Sequence, residues 1–169
     1  MEERRHVLSL IVQNKTGVFS RISGLLTRRG FNIDSISAAE TESSEISLIV
    51  IEFKADSKSA EQIKKQLDKQ VDIFEIKELS APDAVTREHV MIKVKAAPDE
   101  RSSIIAVAGI FRASVVDVSP DTMIVELTGE STKTNAFIEA VKPYGIIQVA
   151  RSGMIGMSRL GAPVLKELF

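Results

Sequence analysis

One order of predicted secondary structure occurs twice along the 169-residue chain. In residues 1–79 the apolar pattern alternates as in a strand, changes to a helical period, and passes through strand, helix, strand, strand, helix and strand. Residues 80–88, which combine a proline with small and charged residues, show no period. The same six-element order then returns from residue 89. A repeat of this kind predicts two similar domains joined by a linker at 80–88.

The first strand and helix show the basis of the prediction. Residues 6–12 are apolar on both alternating faces, so this strand is expected at the centre of a sheet. The next helix begins after Gly17 and ends at Gly30.

Ser57 and Ser131 are expected to cap the second helix of each half. The predicted fold class is α+β, with two ferredoxin-like βαββαβ domains in tandem at 1–79 and 89–169.

Both faces of each predicted sheet are apolar. Ile49 and Ile51 alternate with Leu48 and Val50, yet the two helices of such a domain cover only one face. The second face is therefore expected to lie against another sheet or another subunit. We expect a homodimer or a higher homo-oligomer.

Composition disfavours several classes of function. Lys and Arg number 22 against 23 Asp and Glu, and a net charge of -1 does not favour nucleic acid or an anionic membrane as partner. One Tyr and no Trp argue against RNA binding on an open sheet. The absence of Cys and the presence of only two His make disulfides and a metal site unexpected. With no signal peptide and no apolar run of ~20 residues, a cytoplasmic protein is expected.

No catalytic motif is found. A nucleophile elbow, a phosphate-binding Walker loop and a dinucleotide-binding glycine pattern are all missing from the sequence. A small hydrolase of the acylphosphatase type shares the predicted element order and stays open as an alternative, although its glycine-rich anion loop is also missing.

The turn Asn14-Lys-Thr-Gly17 joins the first strand to the first helix. The N–H groups of Val18 and Phe19 lie at the start of that helix, where a carboxylate is favoured, and Gly17 permits close approach of backbone. The alternative is an ordinary turn closed by an Asx contact of Asn14.

These motifs, taken with others along the chain, resemble one family. The turn N-K-T-G, the segment R-R-G-F-N-I-D-S-I, the second-half opening R-E-H-V-M-I-K-V, and the later segments I-F-R-A-S-V-V-D-V-S and A-R-S-G-M-I-G-M-S-R resemble the small regulatory subunit of acetohydroxyacid (acetolactate) synthase. That family has an N-terminal ACT domain, a regulatory domain that binds amino acids, and a second ACT-like domain. The resemblance extends over essentially the whole chain.

The resemblance implies a non-catalytic subunit that activates a large catalytic subunit and withdraws the activation when valine binds. The large subunit carries thiamine diphosphate, magnesium and FAD and condenses pyruvate with a second 2-oxo acid, whereas no cofactor is expected in this chain. Valine, or leucine or isoleucine, would bind between two ACT domains. One chain would supply Asn14, Gly17, Val18 and Phe19, and its partner Asn32 and Ile33.

The C-terminal segment is the expected contact with the catalytic subunit. It is basic and apolar and is predicted to follow the last strand; the expected contact residues are Arg151, Met154, Ile155, Met157 and Arg159. The alternative is that this segment packs on its own domain. The alternative function is a stand-alone ACT-type amino-acid sensor that acts on another protein.

Overall fold

The computed structural model describes residues 3–80 and 83–159. It confirms the α+β prediction, because the βαββαβ order occurs twice. The elements are β1 (Arg4–Gln13), α1 (Val18–Arg28), β2 (Ile33–Glu40), β3 (Ile46–Ala55), α2 (Ser57–Leu67), β4 (Ile73–Glu78), β5 (Ala84–Lys95), α3 (Arg101–Phe111), β6 (Ser114–Val118), β7 (Thr122–Gly129), α4 (Ser131–Val141), a short 3₁₀ turn (Lys142–Tyr144) and β8 (Ile146–Ser158).

The first sheet has the strand order β2-β3-β1-β4, so β1 is central as expected and β2 lies at an edge. The strands are antiparallel, and Leu8 and Leu10 of β1 stand opposite Ile51 and Ile49 of β3. These four side chains are buried together with Phe53 beneath the helices. Full burial of a large apolar side chain contributes about 1.5–3 kcal/mol, so this layer is the main source of stability of the first sheet.

The helix caps differ from the prediction by one residue. Asp56, not Ser57, caps α2, and its carboxylate accepts hydrogen bonds from the N–H groups of Lys58 and Ser59. Similarly, Ser131 is the first residue of α4 rather than its cap. Both serines follow an acidic residue, and that acidic residue takes the extended cap conformation in each helix.

The second sheet has the equivalent order β6-β7-β5-β8. In its core, Val90, Ile92 and Val94 of β5 pack with buried residues of β7 and with Phe137 of α4. One charged group is also buried here. Glu88 accepts hydrogen bonds from the hydroxyl of Thr134 and the guanidinium of Arg151, so this carboxylate is compensated by charge and hydrogen bonds.

The chain forms two compact units, and their boundaries differ from the predicted domains. Described residues of 1–85 and 154–159 belong to the first unit, and residues 86–153 form the second. The predicted linker at 80–88 extends too far, since β5 already begins at Ala84. The predicted domain 89–169 is also incorrect for residues 154–159, because Met154 is buried against Val7, Val50 and Leu79.

The face of the first sheet that lies away from the helices is therefore partly buried by residues of the same chain. Val7 and Val50 lie on the face opposite the α1–α2 layer, as the alternation predicted, and Met154 at the end of β8 packs on them. The hydroxyl of Ser37 in β2 donates a hydrogen bond of 2.6 Å to the carbonyl oxygen of Met154. Apolar packing and a hydrogen bond thus hold this segment on the sheet.

Candidate functional site

The turn between β1 and α1 presents an uncapped helix start. Gly17 adopts φ 89°, a left-handed conformation that favours glycine, and no side chain of the described residues caps α1. The N–H of Val18 donates to the carbonyl of Lys15 at 3.3 Å, whereas the N–H of Arg21 donates to the carbonyl of Gly17 at 2.9 Å. The N–H of Phe19 lies between them, at a position where helices attract anions.

A cation lies beside the same turn. A Cβ added to Gly17 would stand 3.2 Å from Nη1 of Arg21, so the guanidinium is close to the glycine backbone. The other terminal nitrogen, Nη2, is paired with the carboxylate of Asp72, which comes just before β4. Arg21 is not among the site residues predicted from the sequence. The sequence signal that could have identified Arg21 is its position four residues after Gly17, about one turn along α1.

Asn14 does not make the Asx contact of an isolated turn. Its Nδ2 donates to Oε1 of Glu40 at 3.0 Å and to the carbonyl oxygen of Ser44 at 2.8 Å. Its backbone N–H donates to the carbonyl of Glu45 at 2.7 Å. Asn14 therefore fastens the β1–α1 turn to the end of β2 and to the connection that follows.

The remaining predicted ligand residues lie at the other end of β2. Ile33 pairs with Phe53 of β3, which in turn pairs with His6 near the start of β1. Asn14, in contrast, directly follows the last residue of β1. Seven residues of strand separate these two ends, a distance of about 23 Å. A single chain therefore does not bring Asn32 and Ile33 to the β1–α1 turn.

Two predicted site residues differ sharply in exposure. Val18 is buried in the core, and its side chain therefore supports the turn from beneath. Phe19 is 46% exposed and is available to an incoming molecule. Ile33 is partly buried against the first core, which leaves part of an apolar surface at the start of β2.

The five residues predicted to contact the catalytic subunit also differ in exposure. Met154 is buried, and Arg151 is held by Glu88 and by the amide oxygen of Asn135 at 3.1 Å. Ile155 and Met157 are 55% and 72% exposed. The residues that sequence analysis placed after the last strand, as far as Ser158, belong to β8.

Arg159 follows β8, and its N–H donates to the carbonyl oxygen of Asp83 at 2.7 Å. Within residues 3–80 and 83–159, no group of three or more His, Asp and Glu side chains could hold a metal ion. No helix in this part of the chain is long and apolar enough to cross a membrane.

Family models match both halves of the chain. Residues 8–75 match the model described as the AHAS (acetohydroxyacid synthase) small subunit-like ACT domain. Residues 87–160 match the model described as the small subunit of acetolactate synthase. The two matches correspond to the two βαββαβ repeats.

Individual relatives are similar in sequence to this chain over nearly their full length. A probable acetolactate synthase small subunit of Methanothermobacter thermautotrophicus is 44% identical over 160 residues, which cover 94% of this chain and 95% of that protein. The acetolactate synthase small subunit of Bacillus subtilis is 42% identical, with 92% of this chain and 91% of that protein covered.

A solved structure supports the same relationship. The crystal structure of the acetolactate synthase small subunit of Thermotoga maritima superposes with a TM-score of 0.83 at 36% identity and covers 94% of this chain and 99% of that one. The chain therefore belongs to the family of acetolactate synthase small subunits.

Proposed function

We propose that this chain is the regulatory subunit of an acetolactate synthase and that it confers feedback inhibition by valine in branched-chain amino acid synthesis. One observation carries the ligand part of the proposal: the two sets of predicted ligand residues lie at opposite ends of the edge strand β2. A site built from both sets needs a second copy of the chain.

Antiparallel pairing of two β2 strands supplies the required geometry. In such a pair the start of one strand lies beside the end of the other. Asn32 and Ile33 of one protomer would then approach Glu40 of its partner, to which the partner's Asn14 is hydrogen-bonded. Two equivalent sites would form, related by the two-fold axis of the dimer.

The chemistry of the β1–α1 turn suits an amino acid. The ligand carboxylate would bind at the start of α1, where the N–H of Phe19 and the guanidinium of Arg21 are close to Gly17. The branched side chain would pack on Ile33 and on the exposed ring of Phe19. Leucine and isoleucine are the other ligands proposed for this site. Each is larger than valine by one methylene group, a difference that changes affinity by about 10–200-fold in an apolar pocket.

The proposed partner is the large catalytic subunit, which would carry the thiamine diphosphate, magnesium and FAD chemistry. Among the predicted contact residues, Ile155 and Met157 have the exposed apolar side chains that an interface requires. Arg159, which directly follows β8, would add a positive charge to the same contact. Arg151 and Met154 would act indirectly, because their side chains hold β8 to Glu88 and to the first sheet.

The test is acetolactate formation by a purified large subunit, with and without this chain, across a titration of valine. We expect stimulation by the chain and its reversal by valine. Gly17→Asp should keep the stimulation and lose the reversal, because a side chain at φ 89° would be strained and would crowd Arg21. Gly24→Ala, in the middle of α1, is the matched control and should remain sensitive to valine.

Two results would contradict the proposal. Valine binding measured by calorimetry without stimulation of any cognate large subunit would favour the stand-alone sensor. Turnover of an acyl phosphate by the chain alone would favour the small hydrolase.

A further inference from the structure

The side-chain amide of Asn14 has a fixed orientation. Both groups that contact Nδ2, the carboxylate of Glu40 and the carbonyl of Ser44, accept hydrogen bonds and cannot donate them to the amide. The nitrogen must therefore face both groups, and it uses its two hydrogens on them. What Asn14 can offer to a ligand is its oxygen, Oδ1.

This orientation determines how an amino acid can lie in the proposed site. An amide oxygen repels a carboxylate and accepts a hydrogen bond from an ammonium group. The ligand carboxylate must then lie at the start of α1, and the ammonium group must lie on the side of Asn14. The ammonium end of the site is thus formed where the β1–α1 turn meets the end of β2.

Glu40 supplies a negative charge at this point. Its Oε1 is 3.0 Å from Nδ2 of Asn14, and the residue is exposed at the end of β2. The ion pairs found in the described part of the chain do not include Glu40, whereas Arg21, the cation beside Gly17, is paired with Asp72. Carboxylate oxygens accept several hydrogen bonds, so the Glu40 side chain can also accept one from an incoming cation.

We propose that Glu40 is the charge partner of the ligand's α-ammonium group and makes the site select α-amino acids over 2-hydroxy and 2-oxo acids with the same carbon skeleton. This inference rests on the proposed function. The large subunit that the resemblance implies would act on 2-oxo acids, so this selection would keep the site from responding to them. A sensor that recognised only the carboxylate and the apolar side chain would also respond to such compounds.

The experiment is calorimetric titration of the full chain with L-valine and with 2-hydroxy-3-methylbutanoate, in which a hydroxyl replaces the ammonium group. Glu40→Gln is the informative variant. Glutamine keeps an acceptor oxygen for Nδ2 of Asn14 and removes only the charge. Glu42→Gln removes the same charge from the β2–β3 connection and is the matched control. Sedimentation of each variant verifies that its oligomeric state is unchanged.

We expect the wild-type chain and Glu42→Gln to bind valine much more tightly than the hydroxy acid. Glu40→Gln should bind valine about tenfold or more weakly, the usual effect of losing a charged hydrogen bond, while its affinity for the hydroxy acid stays within about twofold. Unchanged valine affinity in Glu40→Gln, or equal weakening of both ligands, would overturn the inference and leave the proposed function standing. A wild-type chain that binds no branched-chain amino acid would overturn both.

Discussion

Replacing Met154 by alanine tests whether the end of β8 is part of the first unit. The side chain is 3% exposed and packs on Val7, Val50 and Leu79. Removing three buried heavy atoms costs about 2–5 kcal/mol, and the lower half of that range applies here because the cluster is small. We therefore expect a loss of about 2–3 kcal/mol in the free energy of unfolding. For a unit of 60–100 residues, this loss lowers the melting temperature by roughly 10–20 °C.

Differential scanning calorimetry of the full chain measures the effect, because it needs no optical probe in the first unit. Ile155→Ala is the matched control: the neighbouring side chain is 55% exposed, and its loss should change the free energy by less than about 0.5 kcal/mol. Met154→Leu should restore most of the stability, since it nearly conserves volume. If Met154→Ala and Ile155→Ala melt at the same temperature, the packing of residues 154–159 on the first sheet is refuted.

Three further predictions concern stability. Gly109→Ala should raise the free energy of unfolding by about 0.5–1 kcal/mol in a chemical denaturation series, because a Cβ in this helical position would meet no atom within 4 Å apart from its chain neighbours and the backbone of its own helix. Arg151→Ala should lower it by about 3 kcal/mol, because buried Glu88 loses its guanidinium, and adding Glu88→Gln should recover part of that loss. At Glu78, burial raises the carboxyl pKa, but hydrogen bonds from His6 and Lys64 outweigh burial and leave the pKa below its ordinary value of 4.5. A lowered pKa stabilises the fold above pH 4.5 and loses this contribution as the pH falls, so melting temperatures of Glu78→Gln should show a shallower acid decline than wild type.

The order of strands and helices could be predicted because it depends on local pattern. The apolar stripe of α1 and the alternation in β1 lie within ten or eleven residues, and the structure reproduces both. The path of β8 could not be predicted in this way. The hydrogen bond that holds Met154 joins it to Ser37, 117 residues earlier, and no local period reports such a contact.

The candidate site shows the same division. The sequence indicates the turn from Asn14 to Gly17, because both residue types have special roles at a strand-to-helix junction. It does not indicate Glu40, which is one of several acidic residues in the polar sequence around the end of β2 and acquires its place only when β2 pairs with β3 beside β1. The unequal roles of Met154 and Ile155 are likewise set by tertiary packing.

The separation of the two proposed ligand half-sites would also link ligand binding to assembly. If Asn14 and Ile33 contact the same ligand only when they come from different chains, the dissociated chain has an incomplete site and binds the ligand weakly. Ligand binding must then stabilise the dimer by the same factor by which dimerisation improves ligand affinity. A coupling of about 1–3 kcal/mol corresponds to a 5–150-fold change in the dimer dissociation constant. Sedimentation of dilute chain with and without valine would detect this change, and a dissociation constant that does not respond to a bound ligand would show that each chain carries a complete site.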